Sequence, residues 1–323
     1  MNPPALSVIL CTHNPRRDFL SRTLSALQGQ TLPVSAWELL VVDNASQPPV
    51  ADLADLRWHP AARVLLESEL GLTPARLRGI AEARGELLVF VDDDNLLAPD
   101  YLECALAQVE RHPRIAVWGC GSYTPEWEQP PPPEFAPYLS YLAVHTAPRD
   151  YWSDRAYDYA AMPAGAGLCV RTAVARHYAA NVRNDPRRKL LGRTGAQLNG
   201  CEDFDLGLTA IDLGYATGMF RELALTHLMP RHRVEEDYLL RLIEGHARST
   251  VLLMTLRGNP PPPPPAGLLG RLREFRLKRS LQPIERRIHE ARRKGERQAK
   301  VTLTHLDLRQ NCGTAPFAPN VGS

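Results

Sequence analysis

Short apolar segments alternate with amphipathic ones over residues 1–120, and this alternation limits the possible folds more than any other feature of the chain. The apolar segments are typical of buried strands, and the amphipathic ones of helices. Strand–helix–strand order implies βαβ units and a mostly parallel sheet flanked by helices. We therefore predict an α/β, Rossmann-like fold. The predicted strands are 6–11, 37–42, 63–66 and 86–91, and the predicted helices are 16–30, 74–83 and 99–111.

Polar residues follow three of the predicted strands directly, at 12–14, 43–44 and 92–95. In parallel sheets of this kind, ligands bind at the carboxyl ends of the strands. Because parallel strands end at the same edge of the sheet, we expect the three polar clusters to lie together. The sequence thus predicts one binding site at this edge.

The most unusual of these clusters is the acidic run Asp92, Asp93 and Asp94. Three adjacent carboxylates repel one another unless a cation neutralises them. Mn²⁺ and Mg²⁺ prefer oxygen ligands and commonly bridge to phosphates. The run therefore indicates a site for a divalent ion and a phosphorylated ligand. The alternative is a solvated acidic turn before the next helix.

Charge is distributed unevenly along the chain. The net charge is only +2, which does not favour a nucleic-acid binder, but residues 267–300 hold twelve Lys/Arg against four Asp/Glu, a net +8, so the remainder carries 2 − 8 = −6. We predict a folded domain at 1–258, a proline-rich extended linker at 259–266, and a basic helical tail at 267–323 whose last twenty residues are frayed. The helix at 267–300 suits either peripheral contact with an anionic membrane or a solvated, partner-binding role.

The cysteines and the N-terminus bear on the compartment. Six cysteines are scattered without a C-x-x-C pair, which suggests reduced thiols rather than a disulfide framework. The first residues show no signal-peptide pattern, and no run of eighteen apolar residues occurs. We expect a cytoplasmic protein. Peripheral contact with the inner face of the membrane is compatible with this location.

Three segments in order resemble a known family. They are SVILCTHN at 7–14, ELLVVDNAS at 38–46 and GELLVFVDDD at 85–94, and they look like the opening of the family-two glycosyltransferases. The resemblance extends from residue 6 to residue 230. It implies the GT-A fold and inverting, metal-dependent transfer of a sugar from a nucleotide-diphosphate donor to a hydroxyl of a glycan or lipid-linked acceptor, with Mn²⁺ or Mg²⁺ as cofactor.

The resemblance also implies roles for residues in the nucleotide pocket. Thr12 and Asn14 would line the pocket, and Asp43, with Asn44 beside it, would bind the base or the ribose. Arg76 matches the Ala-Arg-Asn-x-Gly stretch of the family.

The acidic run and two later residues complete the implied site. Asp92 and Asp94 match the two acids of the Asp-x-Asp motif, with Asp94 as the direct metal ligand, Asp92 as its support and Asp93 near the ribose. His227, expected in a loop after a strand, matches a position where some GT-A enzymes supply a further ligand. A structural histidine is the alternative, and His232 is a weaker candidate.

The segment 200–206 resembles the Glu-Asp signature that opens a helix in the same family. There the aspartate removes the proton of the acceptor hydroxyl, which makes Asp203 the candidate general base. Acids in a first helical turn are also favoured by the helix dipole alone. The glycines at 165 and 167 suit a small-residue loop near the reacting groups, or a tight turn.

Two other functions compete with glycosyl transfer. A nucleotidyltransferase shares the sheet and the metal, but it needs a glycine-rich basic loop after the first strand, where this chain has no glycine. The second competing function is that of a non-catalytic nucleotide-sugar-binding protein. The presence of Asp92, Asp94 and Asp203 together argues against this function.

Overall fold

A nine-stranded sheet lies at the centre of the protein, with helices on both of its faces. The computed structural model describes residues 3–262 and 267–312. The strands are β1 (Leu6–Thr12), β2 (Trp37–Asp43), β3 (Ala62–Leu66), β4 (Leu87–Asp92), β5 (Asn95–Leu97), β6 (Ile115–Trp127), β7 (Tyr151–Ser153), β8 (Cys169–Arg171) and β9 (Ala216–Met229). The helices are α1 (Arg17–Gln28), α2 (Leu72–Glu82), α3 (Tyr101–Arg111), α4 (Thr172–Asn184), α5 (Glu202–Asp212), α6 (Glu236–Leu256), α7 (Gly267–Ser280) and α8 (Pro283–Cys312).

The strands follow the order β3-β2-β1-β4-β8-β6-β9-β5, and β7 pairs with β9. The first four are parallel, as the βαβ pattern predicts. β8 pairs antiparallel with both β4 and β6, and β9 pairs parallel with β6 but antiparallel with β5 and β7. The predicted α/β class is confirmed, and its second half is mixed because loops rather than crossover helices lead into β5, β7 and β8.

Burial on both faces explains why the first strand is apolar over residues 8–11, without a polar alternation. All 7 residues of β1 are buried. Successive side chains of a strand point to opposite faces. Val8 and Leu10 accordingly belong to the core on the side of α1 and α3, whereas Ile9 and Cys11 belong to the core beneath α2, α4 and α5.

The basic C-terminal region forms two helices that separate at Pro283. α8 packs on α6 through a face of small residues, including Ala291 and Ala299, which are buried. A Cβ at Gly295 would lie 2.1 Å from the carbonyl oxygen of Glu244, so the two backbones approach closely there. The proposed domain boundaries stay a prediction. Residues 263–266 of the proline tract and 313–323 of the frayed end lie outside the described residues.

Membrane spans and disulfides are both missing from the part of the chain that the structure covers. Within 3–262 and 267–312, no helix has the length and apolar character needed to cross a bilayer. The cysteines described carry free thiols, namely Cys11, Cys104, Cys120, Cys169 and Cys201.

Candidate active site

The three polar clusters predicted from the strand ends lie side by side. In the parallel register, Thr12 of β1 is opposite Asp43 of β2, and Cys11 is opposite Asp92 of β4. The three strands therefore end at the same level of the sheet. Residues that are far apart in sequence meet at this edge because the register, and not a local motif, places them there.

The two polar residues at the end of β2 hold the loops that follow. The carboxylate oxygens of Asp43 accept hydrogen bonds from the backbone N–H groups of Ser46 (2.8 Å) and Val50 (2.9 Å). The Asn44 amide donates to two carbonyls and accepts one N–H of the segment 67–71. Both side chains are buried. They shape the wall of the site, and contact of Asp43 with a base or ribose, through its remaining lone pairs, stays a prediction.

Thr12 and Asn14 extend this wall from the end of β1. The Thr12 hydroxyl donates a hydrogen bond to the carboxylate of Asp93. Asn14 has a left-handed backbone (φ 49°), which asparagine tolerates well, and its side-chain oxygen accepts the N–H of Gln47 at 2.8 Å. Burial raises the pKa of Asp93, and the neighbouring carboxylate of Asp94 raises it further.

Sheet pairing brings His227 to the acidic run. Asp94 precedes β5, and the β5–β9 register puts Asn95 opposite His227, with the Leu228 N–H donating to the Asp94 carbonyl at 2.9 Å. The Nε2 of His227 lies 3.5 Å from the Oδ2 of Asp94. The expectation that His227 follows a strand in a loop is wrong, because β9 continues to Met229 and His227 is one of its inward positions.

A residue that the sequence did not indicate completes this group. Arg233, in the turn after β9, donates one N–H to the Oδ2 of Asp94 (2.7 Å) and another to the Nε2 of His227 (2.8 Å). Burial alone would raise the pKa of Asp94, but the Arg233 guanidinium beside it holds that pKa well below its usual range. His232, the weaker candidate, instead packs edge-on against Tyr238 at 5.4 Å between ring centroids.

Arg76 connects the acidic run to the beginning of α5. Its side chain is only 4% exposed, and its guanidinium lies 3.1 Å from the Oε1 of Glu202, 126 positions away in sequence. It also donates to the Gly165 carbonyl at 3.1 Å and lies 3.8 Å from the Oδ1 of Asp92. Arg76 is thus a buried cation beneath the site, and its predicted contact with the nucleotide stays a prediction.

Asp203 faces the small-residue loop. Its Oδ2 accepts the Gly165 N–H at 2.9 Å, and its Oδ1 accepts the Phe204 N–H at 2.8 Å. A Cβ at Gly165 would lie 2.4 Å from the Arg76 guanidinium, so only glycine fits between the two charged side chains. Burial raises the pKa of Asp203, and the charge of Arg76 partly opposes this rise.

The other acidic residues in the first turn of α5 form ion pairs that stabilise the fold. Asp205 is fully buried and pairs with Arg188 (2.7 Å) and Arg257 (2.9 Å), which ties α5 to the segment before it and to the end of α6. Burial raises the pKa of Glu202, the partner of Arg76. The helix dipole alone does not explain these acids, because each has a different partner across the fold.

Two of the three predicted metal ligands are close enough to share an ion. Asp94 Oδ2 and His227 Nε2 are 3.5 Å apart, and two ligands of one Mn²⁺ or Mg²⁺ at right angles are about 3 Å apart. Asp92 lies beside Arg76 instead. Across 3–262 and 267–312, no three His, Cys, Asp or Glu side chains are placed to hold a single ion. A divalent ion therefore fits only if donor phosphate and water complete its coordination, as is common for Mg²⁺.

Comparisons with known proteins agree with this geometry. Residues 7–156 match the model of glycosyl transferase family 2, a stretch that includes Asp43, Arg76 and the acidic run but ends before Asp203. The glycosyltransferase AglE of Haloferax volcanii is 33% identical over 111 residues, which are 33% of this chain and 36% of that protein. The validoxylamine A glucosyltransferase of Streptomyces hygroscopicus subsp. jinggangensis is 32% identical over 122 residues, 36% of this chain and 28% of that one. The chain thus matches only about a third of the length of these curated relatives.

A solved structure matches nearly the whole chain. It is the mannosyltransferase PcManGT from Pyrobaculum calidifontis, in complex with GDP-Man and Mn²⁺, with a TM-score of 0.53 at 16% identity, covering 98% of this chain and 77% of that one. At this identity the likeness shows the fold alone. The predicted resemblance is confirmed: residues 7–156 match the family 2 glycosyl transferases, and the chain has the GT-A fold.

Proposed function

We propose that this protein transfers a sugar from a nucleotide-diphosphate donor to an acceptor hydroxyl, with inversion and with a divalent ion, using Asp203 as general base. The observation that carries the proposal is the position of Arg76, which contacts both Asp92 and the Glu202–Gly165 pair that flanks Asp203. Acids that would bind the donor and an acid that would activate the acceptor therefore belong to one centre. The family match of residues 7–156 favours this function over nucleotidyl transfer.

The donor would bind along the ends of β1, β2 and β4. The walls formed by Thr12, Asn14 and Asp43 support the nucleoside, and Asp93, held by the Thr12 hydroxyl, supports the ribose. Asp94 and His227 would hold Mn²⁺ or Mg²⁺, with Asp92 as the nearby acid. The named relative with the same fold was solved with GDP-Man and Mn²⁺, which supports this class of donor and ion.

Asp203 supports the chemical step. The acceptor oxygen forms a bond to the anomeric carbon while the bond from that carbon to the diphosphate oxygen breaks, and the hydroxyl proton passes to a carboxylate oxygen of Asp203. A bound divalent ion would stabilise the charge on the departing diphosphate. The N–H groups of Gly165 and Phe204 orient the Asp203 carboxylate and leave each oxygen a free lone pair for that proton.

A thermal-shift panel tests the donor. UDP- and GDP-sugars are added with Mn²⁺ to the full chain, and the melting temperature is recorded. A ligand at a hundred times its Kd stabilises the folded state by about 2.7 kcal/mol, so for a chain of 323 residues we expect one donor class to raise the melting temperature by about 4 °C.

The panel has an internal control. The same sugars without the nucleotide, and the matching donors in EDTA, are expected to give a much smaller shift. If no nucleotide sugar stabilises the protein in the presence of Mn²⁺, the proposed donor class is wrong.

The basic region gives a proposal about membrane contact. The apolar face of α8 is occupied by α6, whereas α7 leaves apolar and basic side chains exposed side by side. A hydrogen bond between Glu274 and His289 (2.7 Å) and an ion pair between Lys278 and Glu290 (3.2 Å) hold α7 against α8. We propose that contact with an anionic membrane, and through it with a lipid-linked acceptor, uses α7 and not α8. The exposed apolar residues of α7 are Leu268, Leu272, Phe275 and Leu277.

Vesicle flotation of the full chain tests this surface. We expect the wild type to float with vesicles containing phosphatidylglycerol but not with phosphatidylcholine alone, because both charge and apolar area contribute to binding. The Phe275→Glu substitution on α7 should abolish flotation, and Val301→Glu, at an exposed apolar position of α8, should not. Equal flotation of the two variants would show that α7 is not the contact surface.

A further inference from the structure

The contacts of Arg233 bear on how a divalent ion enters the site. A guanidinium carries donors only, so the His227 Nε2 that lies 2.8 Å from its Nη1 must be the accepting nitrogen, and the ring proton is on Nδ1. The Asp94 Oδ2, 2.7 Å from the other terminal nitrogen, is likewise an acceptor. Arg233 therefore engages lone pairs of the two atoms that would coordinate the ion.

The lone pairs of Asp94 and His227 that accept from Arg233 cannot also coordinate a divalent ion. Asp94 Oδ2 and His227 Nε2 are 3.5 Å apart and converge on the guanidinium from one side. An ion bound by both atoms would lie where the Arg233 N–H groups now point, and its charge would repel the guanidinium at short range. The two cations can be bound to this pair only in turn.

The surroundings of Arg233 also suit a side chain that can withdraw. Its guanidinium is held through its two terminal nitrogens, while its buried Nε–H has no acceptor within residues 3–262 and 267–312. The residue lies in the short turn Arg231–Val234 and not inside β9. When the Arg233 side chain moves away from Asp94 and His227, two contacts break and no strand pairing is lost.

We propose that Arg233 is the resident cation of the acidic centre, and that a divalent ion must displace it from Asp94 and His227. This inference rests on the proposed function, since it concerns the same metal and donor. Without a donor, the ion has to compete with the guanidinium of Arg233, which is mostly buried, and its binding is weak. The diphosphate of the donor offers the displaced guanidinium a new partner, so ion and donor bind cooperatively, each raising the affinity of the other by the same factor.

Mn²⁺ affinity tests the competition without reference to turnover. Free Mn²⁺ is followed by electron paramagnetic resonance in titrations of the full-length wild type and of Arg233→Met, first without nucleotide and then with UDP or GDP. We expect the methionine variant to bind Mn²⁺ about tenfold or more tightly than the wild type without nucleotide, and to show less cooperativity with the diphosphate. Arg231→Met, in the same turn but exposed, should behave like the wild type.

Two further measurements keep the outcome decisive. In EDTA, Arg233→Met should have a lower melting temperature than the wild type, because its buried Asp94 has lost a counter-charge. Added Mn²⁺ should raise the melting temperature of this variant more than that of the wild type. If that variant does not fold, Arg233→Lys replaces it, with an expected Mn²⁺ affinity between wild type and methionine, since one ammonium cannot engage both acceptors in the same way. Equal or weaker Mn²⁺ binding by the variants overturns the competition alone. Failure of every protein to bind Mn²⁺, even with UDP or GDP, instead removes the ion from the proposed function, and the competition with it.

Discussion

Replacing Asp203 with asparagine should lower kcat by about 10²–10⁴-fold, the usual contribution of a positioned acid or base. An amide cannot take the proton of the acceptor hydroxyl, although its oxygen can still accept one of the two N–H groups that now bind the carboxylate. Donor affinity should change little, because no donor contact is assigned to this side chain. The release of nucleoside diphosphate from the donor that the thermal panel selects measures kcat, and the thermal shift measures binding.

A matched control lies on the same helix. Asp212, the last residue of α5, is 61% exposed and pairs with the largely buried Arg257. Asp212→Asn should leave kcat within a factor of about two, because the exposed Asp212 lies at the far end of α5, about 13 Å along the helix from Asp203. Turnover by Asp203→Asn at the wild-type rate would exclude Asp203 as the base.

The same assignment has a consequence for pH. A general base acts only when it is unprotonated, so the rate should rise with pH through the pKa of Asp203. Burial raises that pKa above the ordinary aspartate value. The acidic limb of the kcat profile should therefore lie at higher pH than an exposed aspartate would give, and it should be missing from the residual activity of Asp203→Asn.

Most of the sheet that carries the site could be predicted from the sequence, for a physical reason. Strands buried on both faces are mostly apolar, and the helices between them have one apolar face, so periodicity located β1 to β4 and α1 to α3 to within 2 residues at each end. Parallel pairing then placed the polar residues after these strands at one edge. No tertiary information was needed for that step.

The partners of the site residues could not be predicted in the same way. That the oxygens of Asp43 accept hydrogen bonds from the following loop depends on how that loop turns, which the residue type does not reveal. Arg233 meets Asp94, 139 positions away, only because β5 and β9 pair. His227 was different, since inward positions at Leu223, Leu225 and His227 continue the alternation of a strand, and that signal was present in the sequence.

These contacts suggest how the site keeps five carboxylates close together. Asp94 is balanced by Arg233, and Asp92 and Glu202 share Arg76. Burial raises the pKa of Asp93 and Asp203, which form no ion pair, and also that of Glu202 despite its contact with Arg76. The two arginines therefore divide the site into a half that would bind the donor cation and a half that holds the base, and Arg76 is the residue common to both halves.

Arg76→Gln should consequently lower the free energy of unfolding by about 3–5 kcal/mol, the usual result of removing one partner of a buried ion pair. Glutamine leaves the buried carboxylate of Glu202 without its counter-charge and also loses the contact with Asp92. Urea unfolding followed by circular dichroism measures the change. Arg78, one residue beyond Leu77 on α2, supplies the control, because its pair with Glu82 is exposed and Arg78→Gln should cost less than about 0.5 kcal/mol.

A lysine at position 76 separates charge from geometry. Arg76→Lys keeps the positive charge near Glu202 but cannot also donate in a fork to the Gly165 carbonyl, so its stability should lie between glutamine and the wild type. Because Gly165 orients Asp203, the lysine variant should lose turnover even where it remains folded. If Arg76→Gln were as stable as Arg78→Gln, the buried guanidinium would not be what holds the two halves of the site together, and the link between donor site and base would have to be sought in the backbone of 165–167.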